Sequence, residues 1–131
     1  MKILIVEDDF VSRCIMQEIL SPYGQCDVAV NGNEAYQAFC FAFEQGKPYN
    51  LICMDIMMPE MNGQDTLKKI REYESAEGVK GANAVKIIMT TALGDSNNIK
   101  NAFIEQCEAY LIKPISKAKL LDIMKKLELI S

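Results

Sequence analysis

The sequence predicts an α/β domain built on a doubly wound, five-stranded parallel sheet with five helices. Three observations carry this reading. Five short apolar runs alternate with five helical segments and leave no remainder, the order required by a parallel sheet with helices on both faces. The runs are continuously apolar, as strands covered on both faces are. The chain has 131 residues, 50% hydrophobic and 24% charged, which suits one domain over residues 1–131 with a core of its own.

The elements follow in order. Residues 2–6 (KILIV) form a β-branched strand, stopped by Glu7-Asp8-Asp9. Residues 10–21 set Val11, Ile15 and Ile19 at four-residue spacing with Leu20 alongside. That predicts an amphipathic helix, ended by Ser21-Pro22 and Gly24. Asp9, beside the expected cap, reads as a first-turn acid favoured by the helix dipole. Residues 26–30 read as the second strand, Asn31-Gly32-Asn33 as a turn, and residues 34–45 as a helix ended by Gly46-Lys47-Pro48. Residues 50–55 are the third strand, and residues 64–76 a helix with Leu67 and Ile70 inward. Residues 76–84, with two glycines and no periodicity, read as a loop. Residues 85–91 are the fourth strand, and Asp95 or Ser96 caps a helix running to about residue 106. Residues 108–113 are the fifth strand, broken by Pro114. Ser116 caps a last helix with Leu120, Leu121, Met124 and Leu127 inward.

The totals exclude several functions. A net charge of -4 argues against a nucleic-acid surface, which needs clustered Lys and Arg. Histidine is absent, which removes imidazole bases, imidazole nucleophile partners and His metal ligands. The cysteines Cys14, Cys26, Cys40, Cys53 and Cys107 form no C-x-x-C motif and sit in apolar or helical contexts. They are expected to be free, buried thiols in a reducing, cytoplasmic compartment. The first apolar run is too short for a signal peptide, and no run approaches the ~18 residues of a membrane span.

Chemistry concentrates at the strand ends. The first strand ends in Glu7-Asp8-Asp9, the third in Asp55, the fourth in Thr90-Thr91 and the fifth in Lys113-Pro114. Ligands of open parallel sheets bind at the carboxyl edge where strand order reverses. With the order 2-1-3-4-5, that point lies between the first and third strands, and their acids meet. Close carboxylates raise one another's pKa, and a divalent cation relieves them. An all-oxygen donor set selects a hard ion such as Mg²⁺, which keeps water and phosphate oxygens in its shell. Lys113 adds a compact positive charge and Thr91 a hydroxyl. Carboxylate, cation, ammonium and hydroxyl together describe a site where a carboxylate attacks phosphorus, with Asp55 as nucleophile. Met54, Met57, Met58 and Met61 read as packing residues and not as soft-metal ligands, because no Cys pair or His accompanies them.

"ILIVEDD", "MDIMMPEMNG", "MTTA" and "YLIKP" occur in that order along the chain. Over its whole length the sequence resembles a response-regulator receiver domain of the chemotaxis-regulator type. The resemblance implies a flavodoxin-like fold with strand order 2-1-3-4-5. It implies that Asp55 is the phosphoacceptor. Asp8 and Asp55 would bind Mg²⁺ by side chain, Glu7 through water, and Met57 by its backbone carbonyl. Thr91, the threonine followed by Ala92, would be the switch hydroxyl, Tyr110 the switch aromatic, and the Lys113–Pro114 bond would be cis. Phosphorylation would reshape the face formed by the fourth helix, fifth strand and fifth helix. The implied donor is a histidine kinase or histidine phosphotransfer protein. The output would be a protein, with no direct nucleic-acid or membrane contact, and the domain a monomer or a phosphorylation-dependent dimer. In this family the residues two after the phosphoacceptor and two after the switch Thr govern water attack. Here Met57 and Leu93 are both apolar, which predicts slow autodephosphorylation.

The rival readings fit less well. Phosphatases of the haloacid-dehalogenase type carry a second Asp where Met57 stands. A flavodoxin-like FMN carrier needs a Ser/Thr-rich phosphate loop where three acids occur. A receiver-like module that no longer takes phosphate would not need the full set of site residues.

Overall fold

A computed structural model describes residues 1–58, 61–92 and 107–131. The strands are β1 (Lys2–Val6), β2 (Gln25–Ala29), β3 (Leu51–Asp55), β4 (Lys86–Thr91) and β5 (Ala109–Ile112). They form one sheet in the order β2-β1-β3-β4-β5, with every pairing parallel. The helices are α1 (Phe10–Leu20), α2 (Gly32–Glu44), α3 (Gly63–Ala76) and a C-terminal helix, Lys117–Lys126. The helix expected from Asp95 or Ser96 to about residue 106 lies outside the described residues, as does Leu93.

The continuous apolar strands divide their side chains between two layers. Leu4, Val6, Ile52, Met54, Ile87 and Met89 pack with Ala35 and Phe39 of α2 and Leu67 and Ile70 of α3. Ile3, Ile5, Leu51, Cys53 and Ile88 pack with Met16, Ile19 and Leu20 of α1 and Leu120 and Met124 of the C-terminal helix. This is the period-two alternation of a strand, hidden in sequence because both faces are covered. Rings add shape to the first layer: Tyr73 of α3 meets Tyr36, Phe39 and Phe43 of α2 edge-on, at 6.3, 6.0 and 5.5 Å.

Four described helices start at side-chain caps: Asp9, Asn31, Asn62 and Ser116 each accept from the backbone N–H three residues on. Asp9 is therefore the cap itself and not a first-turn acid, and the expected turn at Asn31-Gly32-Asn33 is the cap and first turn of α2. The loop at 76–84 contains a single 3-10 turn, Gly81–Asn83.

Two further expectations fail. Val11 and Ile15 do not face the core: they are 62% and 45% exposed, while Met16, Ile19 and Leu20 are buried. Four-residue spacing drifts around a helix of 3.6 residues per turn, and the true stripe runs through Met16. The cysteines are also not uniformly buried. Cys53 and Cys107 are; Cys26 and Cys40 are half-buried, and Cys14 is exposed on α1. Burial pushes the Cys53 thiol up to about 12, so it stays an inert hydrophobe.

Candidate functional site

Parallel register brings the carboxyl ends of four strands to one edge. Val6 pairs with Met54, Asp55 with Thr90, and Thr91 with Ile112. Lys113 N–H donates to the Thr91 carbonyl at 2.7 Å. Beyond Val6 the chain turns towards α1, and beyond Asp55 towards α3. The crevice between β1 and β3 therefore opens at the point where strand order reverses.

Glu7, Asp8 and Asp55 meet there, each offering a carboxylate oxygen within 4.8 Å of the others. Glu7 and Asp55 are 3% and 5% exposed, and Asp8 is exposed. The Lys113 ammonium donates to Asp55 Oδ2 at 3.1 Å and to Glu7 Oε1. The Lys113–Pro114 peptide is cis. Met57 N–H donates to Asp55 Oδ1 at 3.2 Å, and the Met57 side chain is 59% exposed. Thr91 is fully buried, with its hydroxyl 3.4 Å from the Ala92 carbonyl. Tyr110 is half-buried, packed against the layer that holds Met54 and Met89.

The electrostatics suit a bound cation. Burial, and then the neighbouring Asp55 carboxylate, raises the Glu7 carboxyl above 4.5; Lys113 only partly opposes this. Burial pulls the Lys113 ammonium down, but its bonds to Glu7 and Asp55 outweigh this and hold it above 10.5. One ammonium thus serves a cluster of three acids. Among the described residues, Glu7 Oε2 is the one buried side-chain oxygen or nitrogen with no hydrogen-bond partner. An orphaned buried carboxylate oxygen is costly. Together with an all-oxygen donor set, it suits a hard divalent ion.

Because the Glu7 carboxyl is raised, the fold holds its proton more tightly than the unfolded chain does. Its penalty on metal-free protein is full above the raised value and lifts as pH falls through it towards 4.5. Glu7→Gln keeps an acceptor for Lys113 and removes the buried charge. Metal-free thermal melts at pH 7 should rise by a few degrees, and that gain should shrink in acid.

Two contributors escaped the sequence reading. Arg13 donates to the Glu7 carbonyl at 2.9 Å and so ties α1 to the end of β1; no periodicity marks it. Gly63 starts α3 directly beneath the site. A Cβ there would stand 2.3 Å from the Asp55 carbonyl oxygen and 2.9 Å from Ile56 Cα. The glycine is required by this close approach.

With that geometry in view, comparison with known proteins is decisive. The model of the response regulator receiver domain matches residues 3–125. The chain belongs to this family. Two-component response regulator 24 of Arabidopsis thaliana is 35% identical over 126 residues, covering 95% of this chain and 81% of the relative. The osmosensing histidine protein kinase SLN1 of Saccharomyces cerevisiae is 32% identical over 94% of this chain, which spans only 10% of that protein. Among solved structures, the receiver domain of the response regulator Ssk1 of Saccharomyces cerevisiae, co-crystallised with the histidine phosphotransfer protein Ypd1, has a TM-score of 0.80 at 27% identity. That match covers 95% of this chain and 87% of the other. The receiver domain of the histidine kinase CKI1 of Arabidopsis thaliana, in complex with Mg²⁺ and BeF₃⁻, has a TM-score of 0.78 at 26% identity, covering 97% and 89%. The receiver family accounts for the strand order. No described helix is long and apolar enough to cross a membrane.

Proposed function

We propose that the chain is one receiver domain over residues 1–131 that works as a phosphorylation-dependent switch in cytoplasmic two-component signalling, with Asp55 as phosphoacceptor. The observation that carries this is the meeting of Glu7, Asp8 and Asp55 with the Lys113 ammonium at one strand edge. An Asp55 carboxylate oxygen attacks phosphorus of a phosphohistidine donor, the P–N bond breaks, and imidazole leaves with its electron pair. Lys113 balances charge on the incoming oxygens. Mg²⁺ would be held by Asp8 and Asp55, by Glu7 through water, and by the Met57 carbonyl; when bound it neutralises phosphoryl charge. The domain is a signalling module and not an enzyme for a separate small substrate. After incubation with acetyl phosphate and Mg²⁺, intact mass should rise by one phosphoryl group, and a chelator should prevent the gain. An unchanged mass overturns the assignment.

Reversing a 1:99 equilibrium takes about 5.5 kcal/mol, and one charge-assisted hydrogen bond supplies roughly 1.5–3 kcal/mol. Thr91 and Lys113 must therefore act together on the phosphoryl oxygens. In this reading Thr91 moves toward the phosphoryl group and Tyr110 turns into the space it leaves. Apolar Met57 and Leu93 orient no attacking water, so the phospho-form should persist for minutes or longer after donor removal on a gel that separates it. Decay within seconds would contradict this.

The donor is read as a histidine kinase or histidine phosphotransfer protein. Phe10, Val11 and Ile15 of α1 are 67%, 62% and 45% exposed, and α1 begins immediately after the acids. An apolar patch beside a reactive pocket suits a protein donor that must dock to deliver its group. Val11→Asp should slow transfer from a phosphorylated histidine phosphotransfer protein by about tenfold, the effect of about 1.4 kcal/mol. Labelling by acetyl phosphate should be unchanged, because a small molecule needs no docking face.

A further inference from the structure

Beside the acid pocket, on the α1 side of the sheet, lies a cavity of about 100 Å³. Part of its wall is apolar: Ile5, Met16, Cys53 and Ile115. The rest carries Glu7, Lys113, Ser12 and Thr90. Thr90 stands next to Thr91 in sequence, but strand alternation turns the two to opposite faces. Thr90 therefore borders this cavity together with Ile5 and Cys53 of the α1 layer. Glu7 decides what the cavity suits. It is 3% exposed. The Lys113 ammonium donates to its Oε1, and its Oε2 has no hydrogen-bond partner. A buried carboxylate oxygen calls for a donor, and the apolar wall calls for carbon.

We propose that this cavity binds a small neutral molecule with one hydroxyl group and a short apolar body, the hydroxyl donating to Glu7 Oε2. The proposal goes beyond the receiver reading and does not rest on it, since no step of phosphoryl transfer enters. Size limits the occupant: a cavity of about 150 Å³ holds benzene, so this smaller one suits about four or five non-hydrogen atoms. Charge limits it too. A cation would stand beside the Lys113 ammonium and an anion beside Glu7, and like charges repel both. The Thr90 and Ser12 hydroxyls give the ligand oxygen polar neighbours on the same wall. A carboxylate has about four lone-pair sites, so Glu7 serves a donor from this side without giving up its place in the acid pocket.

The test titrates the full chain, metal-free and at neutral pH, with three probes on one carbon skeleton: 2-butanol, 2-butanone and protonated 2-aminobutane. Methyl NMR reads Met16, Ile5 and Ile115, which report from the cavity wall. 2-Butanol should shift these methyls saturably and bind at least about fivefold tighter than 2-butanone, which has the same shape and no donor. Glu7→Met, which removes the acceptor at similar length, should close that gap. The comparison of probes on the parent protein stands even if this variant folds poorly. If no probe moves the wall methyls, water fills the cavity and the proposal is overturned. Equal affinity for alcohol and ketone overturns it, as does a gap that persists in Glu7→Met. Tighter binding of the protonated amine overturns the neutral class. Asp55→Asn protein keeps this site apart from the phosphoacceptor assignment. 2-Butanol binding should be retained there, whatever that variant does with acetyl phosphate; its loss would put the alcohol in the acid pocket and overturn the cavity.

Discussion

Asp55→Asn protein incubated with acetyl phosphate and Mg²⁺ should gain no phosphoryl mass, a loss of at least about 10³-fold in labelling rate. The amide keeps the shape of the side chain and one acceptor, but its nitrogen has no free electron pair for attack on phosphorus. Lys113 would then face Glu7 alone as a full charge, so Mg²⁺ affinity should fall in the same protein. The fold should not suffer. Asp55 and Glu7 are both buried, and the Asp55 carboxylate beside it raises Glu7; removing one charge relieves the other. Metal-free Asp55→Asn should therefore melt at or above the parent, which separates lost chemistry from lost structure. Unchanged labelling would place the acceptor elsewhere.

Arg71→Met should lower stability by about 3–5 kcal/mol, the cost of leaving buried carboxylates without their cation. The guanidinium donates to Glu74 Oε1 at 2.7 Å and to the Val85 carbonyl at 2.8 Å. It also meets both oxygens of Glu108, at 2.9 and 3.2 Å. Those acids hold backbone in turn: Glu74 Oε2 accepts from Val85 N–H at 2.8 Å, and Glu108 Oε1 from Ile87 N–H at 2.6 Å. Arg71, Glu74 and Glu108 have side chains only 13%, 4% and 25% exposed, so water replaces little of what the cation supplies. The network pins the end of α3 to the starts of β4 and β5, at the sheet edge opposite the acid pocket. A loss of this size is a large share of a domain's total of about 5–15 kcal/mol. Urea unfolding should show it, while Mg²⁺ binding and phosphorylation of the still-folded fraction stay unchanged. Equal stability would mean that water or rearranged neighbours satisfy both acids.

The site was readable in sequence because its parts stand at strand ends. A strand is a local signal, and parallel register then forces Glu7, Asp55, Thr91 and Lys113 to one edge. The exposed face of α1 was misread because spacing alone names a stripe without saying which side the sheet covers. Arg71, Glu74 and Glu108 gave no signal either. Two of them share a helix with ordinary surface charge, and the third lies more than thirty positions on.

By itself, then, the order of residues determined the alternation of strands and helices, the cap at Ser116, and the kinds of group available for chemistry. Each depends on interactions within a few residues, or on the two-sided burial of a strand. Folding in three dimensions decided which side of α1 faces solvent, why Gly63 must lack a side chain, that Glu7 has an oxygen with no partner, and that Arg71 clamps two acids. Those outcomes depend on distances between segments remote along the chain, and only packing sets such distances.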